Sequence, residues 1–177
     1  SIYKLPRDIL FDWDDCLVTQ GDLIKSVTDQ TLKQHLSLED YEKHKAEEII
    51  SGQSMKRVFP RIFGENRWQA IKKSYYELFQ EQHLERLTFM PGAMEALGFC
   101  HKNIEFLGLV SNKKGDYLRK EVSFLDIGRL FKAQVGAEDA SDDKPSRAPV
   151  DLALKNYEPF TQIIEKNQKY GRARIFG

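Results

Sequence analysis

Two apolar runs in this chain lack the alternation of a strand with one wet face: "ILF" at Ile9–Phe11 and "IEFLGLV" at Ile104–Val110. Runs of that kind suit strands covered on both sides, which is the condition of a parallel sheet with helices on its two faces. Asp8–Asp12 and Ile104–Val110 are the two clearest expected strands, with shorter candidates at Ala133–Ala137 and Arg174–Phe176. Helical patterns separate them, so the expected class is α/β.

The first two strands are far apart, and the stretch between them carries helical spacing only. Leu23, Ile24, Val27, Thr28, Leu32 and Leu36 recur at helical intervals. Ser37 and Asp40 have the spacing of a capping box opening a helix that runs to about Ile50. Asn66 is placed to cap a longer helix whose stripe is Trp68, Ile71, Tyr75, Leu78, Phe79 and Gln82. Pro91-Gly92 breaks the chain before a further helix, Asp116–Leu125 continues the pattern, and Pro149 suits a first helical turn. The economical arrangement is an α/β core interrupted after its first strand by a helical insertion, roughly Thr19–Thr88.

Composition narrows what such a chain does. Its 177 residues suffice for one domain with a modest insertion, and 41% are hydrophobic, enough for a real core. The 27 basic and 27 acidic residues cancel, so bulk charge builds neither a nucleic-acid nor a membrane surface. No apolar run approaches the roughly 20 residues of a membrane span. Cys16 and Cys100 form neither a metal pattern nor a disulfide framework, which fits a reducing cytoplasm.

The first strand ends in "DWDD", three carboxylates in four positions. Such a cluster repels itself unless a cation or a solvated turn relieves it. A calcium loop fails on spacing, since its sixth position is Leu17 and its twelfth Leu23. Cysteine phosphatase chemistry fails as well, because Asp22 and Phe106 stand where the arginine is needed. Asp12 and Asp14 are two apart, so on extended chain they project to one side. There one carboxylate can attack phosphorus while the other moves a proton, with magnesium relieving the repulsion. Ligands in open α/β sheets gather at the carboxyl ends of strands, where Ser111 and Asn112 also fall.

"FDWDDCLV" resembles the first motif of the haloacid dehalogenase superfamily, most of whose members are phosphatases. "LGLVSN", with Ser111, is similar to its second motif, and "DDKPSRAP", with Lys144, to its third. "MPGAMEAL" and "SNKKGDYL" resemble the phosphoglycolate phosphatase-like branch. The resemblance implies a Rossmann-like core of residues 1–18 and 89–177 and an α-helical cap of residues 19–88. It also implies a soluble, magnesium-dependent phosphatase acting on a small phosphomonoester through an aspartyl phosphate.

By that resemblance Asp12 is the nucleophile and a metal ligand. Asp14 is the general acid/base, and its backbone carbonyl also ligates the metal. Ser111 and Asn112 bind the phosphoryl group, and Lys144 offsets its charge and that of Asp12. In the cap, Gly52, Ser54, Lys56 and Arg57 are candidate specificity residues; a helix face packing on its neighbours is the other reading of that segment. Lys113 and Lys114 read as solvated, Cys16 as a packing residue, and the four histidines as scattered. The family's fourth motif, a pair of acids completing the metal site, is expected immediately after Gly177. A phosphatase is therefore expected provided residues after Gly177 supply that pair. The alternatives are a sugar phosphomutase, or a phosphate-ester-binding protein without turnover.

Overall fold

The structure, a computed structural model, describes residues 4–45, 53–155 and 157. Among the described residues, the central sheet has three parallel strands in the order β1 (Asp8–Phe11), β4 (Phe106–Lys114), β5 (Ala133–Ala137). The expected strand at Arg174–Phe176, and the end of the helix expected to reach Ile50, lie outside the described residues.

The apolar runs lack alternation because both sheet faces are covered. Leu107 and Leu109 of β4, with Ile9 and Phe11 of β1, pack into a core containing Trp13, Leu97, Leu118 and Val122. Phe106 and Val110, with Leu10, face the other way. There they meet α7 (Ala148–Leu154), whose Pro149 occupies the first turn as expected. Burying a side chain such as Leu109, with none of its surface exposed, contributes about 1.5–3 kcal/mol. α5 (Ala93–Asn103) starts at Gly92, whose φ of 80° is open to glycine at little cost. α6 (Gly115–Phe124) follows β4 directly.

After β1 the chain turns at Asp15 and enters β2 (Val18–Thr19), which pairs antiparallel with β3 (Thr88–Phe89). Among the described residues, four helices lie between these strands: α1 (Leu23–His35), α2 (Leu38–His44), α3 (Met55–Phe63) and α4 (Trp68–Gln82). Arg86 binds Asp22 at 2.7 Å near the base of this block. The block has its own apolar cluster, built from Leu23, Val27, Val58, Phe59, Ile71, Tyr75 and Phe79, and Tyr117 of α6 joins it. The aromatic stripe of α4 is thus core, as its periodicity predicts. Ser37 caps α2 by accepting from the Asp40 amide at 3.2 Å. Asn66 does not cap α4: Arg67 holds the N-cap position, and Asn66 sits in the preceding turn. α3 forms despite Pro60 in its interior, because Val58, Phe59 and Phe63 bury one face of it.

β4 runs past its expected end at Val110 to Lys114, with an irregularity in its pairing to β5 between Val110 and Lys114. Polar "SNKK" hides this extension from a reading based on apolar runs. Close approach of backbone fixes the same region. A Cβ on Gly136 would overlap the Lys113 carbonyl and the backbone of Gly115. Gly136→Ala is therefore expected to lower stability by about 1–3 kcal/mol, read as a lower thermal midpoint. An unchanged midpoint would mean that the two strand ends separate without cost.

Candidate active site

The β1–β4 register pairs Phe11 with Leu109, so the residues after Phe11 lie beside those after Leu109. Asp12, Asp14, Ser111, Asn112 and Lys144 all line one cavity of about 250 Å³. Ile24, Phe59, Tyr75 and Phe79 from the helical block form its apolar wall.

The acidic cluster is relieved by lysines. Lys144 Nζ lies 3.1 Å from Asp12 Oδ2 and donates to the Val110 carbonyl at 3.0 Å. Asn112 clamps the backbone of Lys144: its Oδ1 accepts from Lys144 N at 2.9 Å, and its Nδ2 donates to Lys144 O at 3.0 Å. Asp12 Oδ1 accepts from Trp13 N at 2.7 Å, and half of the Asp12 side chain faces solvent. Lys113 Nζ donates to Asp14 Oδ1 at 2.7 Å. Burial pushes the Asp14 carboxyl above the usual carboxylate range; Lys113 pulls against the rise, while the charges of Glu121 and Asp12 add to it. A raised carboxyl suits a group that gives up a proton. Asp15, the third acid, is exposed with φ 57°, a left-handed position that aspartate tolerates better than most residues.

Ser111 is buried, and its Oγ accepts from Lys113 N at 3.1 Å. Lys113 is not solvated: its side chain is only 4% exposed, and Gln20 and Glu121 bind it along with Asp14. Lys114 lies partly over the Tyr76 ring, 5.0 Å from its centroid, with Glu138 3.8 Å away. Cys16 is exposed rather than packed, because the chain turns so that Trp13 and Leu17 take the interior positions. Although the residue is exposed, partial desolvation of its thiol raises the pKa, and the Asp12 charge adds to the rise. His83 stands apart from the other histidines, being buried against Glu121.

Gly52 lies outside the described residues. Ser54 donates to Asp143, and Lys56 and Arg57 reach Asp142 at 4.0 and 3.3 Å. None of these three lines the cavity; from the same segment Gln53 and Met55 do, as does Lys25 of α1. Sequence reasoning missed Gln53, Met55 and Lys25, since nothing in their spacing marks them.

Oxygen donors dominate the acidic end of the cavity. Among the described residues, no group of three or more His, Cys, Asp or Glu side chains is arranged to hold a metal ion. Asp12, with its carboxylate half exposed at the cavity, still suits magnesium, which binds through one or two carboxylates, waters and substrate phosphate. Among the described residues no helix is long and apolar enough to cross a membrane.

The chain is 29% identical over 168 residues to a phosphoglycolate phosphatase of Aquifex aeolicus, covering 90% of this chain and 73% of that one. It is 23% identical over 146 residues to the pyrophosphatase PpaX of Listeria welshimeri, covering 82% and 66%. Among solved structures, a haloacid dehalogenase-like family hydrolase from Streptococcus pneumoniae superposes with a TM-score of 0.63 at 15% identity, covering 86% and 70%. The family model for haloacid dehalogenase-like hydrolases matches residues 9–165, and the chain belongs to that family.

Proposed function

We propose that this phosphatase of the haloacid dehalogenase-like family hydrolyses a small, soluble phosphomonoester in the cytoplasm, through an aspartyl phosphate on Asp12. The observation that carries the reading is the meeting of Asp12, Asp14, Ser111 and Lys144 at one cavity, with Lys144 Nζ 3.1 Å from the Asp12 carboxylate. An Asp12 oxygen attacks phosphorus and the ester oxygen leaves. Asp14 gives that oxygen its proton, then accepts one from the water that cleaves the aspartyl phosphate. Ser111 binds a phosphoryl oxygen, Asn112 serves the site by fixing the Lys144 backbone, and Lys144 holds positive charge where negative charge accumulates. Magnesium would be held by the Asp12 carboxylate and the Asp14 backbone carbonyl, where it supplies charge neutralisation to the phosphoryl group.

Residues 19–88 serve as the cap over a core of residues 1–18 and 89–177. The cap's contribution to selectivity comes through Gln53, Met55 and Lys25, which reach the cavity. Ser54, Lys56 and Arg57 act on it indirectly, by tying the cap to Asp142 and Asp143. Lys25 of α1 lines the cavity besides Lys144, and a second anionic group on the substrate would meet it there. Phosphoglycolate and pyrophosphate, named for the two relatives, belong in the first panel of substrates.

The test is a panel of phosphomonoesters and pyrophosphate, assayed with magnesium and again after chelation. Hydrolysis of at least one compound, lost on chelation and restored by magnesium, is expected. Hydrolysis that persists unchanged in chelator, or no hydrolysis of any compound, would overturn the reading.

A further inference from the structure

Glu121 is a carboxylate with no exposed surface, on the face of α6 that packs inward with Leu118 and Val122. It touches neither the cavity nor any reacting atom assigned above. A buried carboxylate is costly unless its acceptor positions are filled, and here each oxygen takes two donors. Oε1 accepts from Lys113 Nζ at 2.5 Å and Trp13 Nε1 at 3.0 Å. Oε2 accepts from His83 Nδ1 at 2.8 Å and Gln20 Nε2 at 3.2 Å.

The four donors come from four separate places around the site. Trp13 sits between Asp12 and Asp14. Lys113 is two residues after Ser111. Gln20 follows β2 where the chain enters the helical block, and His83 is the C-cap of α4 where it prepares to leave. Gln20 ties the last two again, since its Nε2 also lies 2.9 Å from the His83 carbonyl. Lys113 is saturated in turn, its three protons directed at Glu121, Gln20 Oε1 at 3.0 Å and Asp14 Oδ1 at 2.7 Å. Lys113 holds Asp14 by Oδ1, and Asp14 lines the cavity.

We infer that Glu121 is a positioning residue: it holds Lys113 against Asp14 and ties that contact to both connections of the helical block. The inference rests on the proposed phosphatase chemistry. It assigns to Glu121, His83 and Gln20 the task of presenting Asp14 to the leaving oxygen. A fully satisfied buried network of this kind has one low-energy arrangement. Glu121→Gln keeps the volume but turns one acceptor into a donor. Turned one way, the new NH2 opposes the Lys113 ammonium directly; turned the other, His83 Nδ1 can accept from it in the other tautomer, but it opposes Gln20 Nε2–H, and Gln20 in turn binds Lys113 and so bears on Asp14.

Proton donation matters most for a poor leaving group, so the experiment compares kcat/KM for an alkyl phosphomonoester and for para-nitrophenyl phosphate. General acid–base help is worth about 10²–10⁴-fold, and partial misplacement of Asp14 should cost about thirtyfold on the alkyl ester. The aryl ester, whose leaving oxygen needs little help, should lose less than about threefold. Gln20→Met, which removes the bonds donated to Glu121 and the His83 carbonyl and the one accepted from Lys113, should show the same pattern more weakly and serves if Glu121→Gln fails to fold. Equal losses on both esters would make Glu121 a packing residue and overturn the inference, as would no loss on either. The wild-type protein is assayed first: if it hydrolyses neither ester nor any other phosphate compound, the phosphatase reading itself fails, a result distinct from equal losses in an active protein.

Discussion

Asp12→Asn is expected to reduce turnover by roughly 10⁴-fold or more, the scale on which enzymes lose rate when a nucleophile is removed from a catalytic unit. An amide oxygen is too weak a nucleophile to form the acyl phosphate, and no second carboxylate occupies the same place. Asp14 is held by Lys113, and Asp15 lines the cavity from an exposed left-handed turn, whereas it is Asp12 that Lys144 contacts at 3.1 Å. The fold should survive, because half of the Asp12 side chain is solvent-exposed and an asparagine Oδ1 still accepts from Trp13 N. Steady-state rates with a thermal unfolding control read both effects. A rate within tenfold of wild type in a folded protein would remove Asp12 from the nucleophile's role.

Lys144→Met should lower kcat/KM by about 10²–10³-fold, the usual cost of removing a preorganised charge from a phosphoryl site. Its ammonium is held between Asp12 Oδ2 and the Val110 carbonyl, so it reaches the reacting atoms already oriented. The loop should hold its shape without the ammonium, because Asn112 binds the backbone of residue 144 rather than its side chain. Lys144→Arg keeps the charge but cannot reproduce a point donor in that space, so partial recovery is expected. If Lys144→Met falls by less than fivefold, the charge that offsets the phosphoryl group lies elsewhere, with Lys114 the next candidate.

Much of the frame was legible because it follows from single periodicities. β1 and β4 announce themselves as ungapped apolar runs, and the structure shows why, with Leu107 and Leu109 covered on one face and Phe106 and Val110 on the other. The buried face of α4 was equally plain from Ile71, Tyr75 and Phe79. Lys113 was not legible. A lysine in "SNKKG" is solvated by default, and only partners at positions 14, 20 and 121 bring it inside. One signal for that network was present all the same: Glu121 falls on the stripe of Tyr117, Leu118 and Val122, where a lone acid at an apolar position calls for buried donors. Cys16 was misplaced because its neighbours read as core, whereas the turn at Asp15 gives the interior to Trp13 and Leu17. Lys56 and Arg57 look like anion-binding residues in sequence; their engagement with Asp142 depends on how α3 lies against a loop some 85 residues further on.

The central claim is that phosphorus passes through Asp12 before it reaches water. The stereochemical course at phosphorus tests this most directly, using a phosphate ester made chiral by oxygen isotopes and sulfur. Two in-line displacements, first by Asp12 and then by water, predict net retention of configuration. Net inversion would mean a single direct attack by water and would contradict the account.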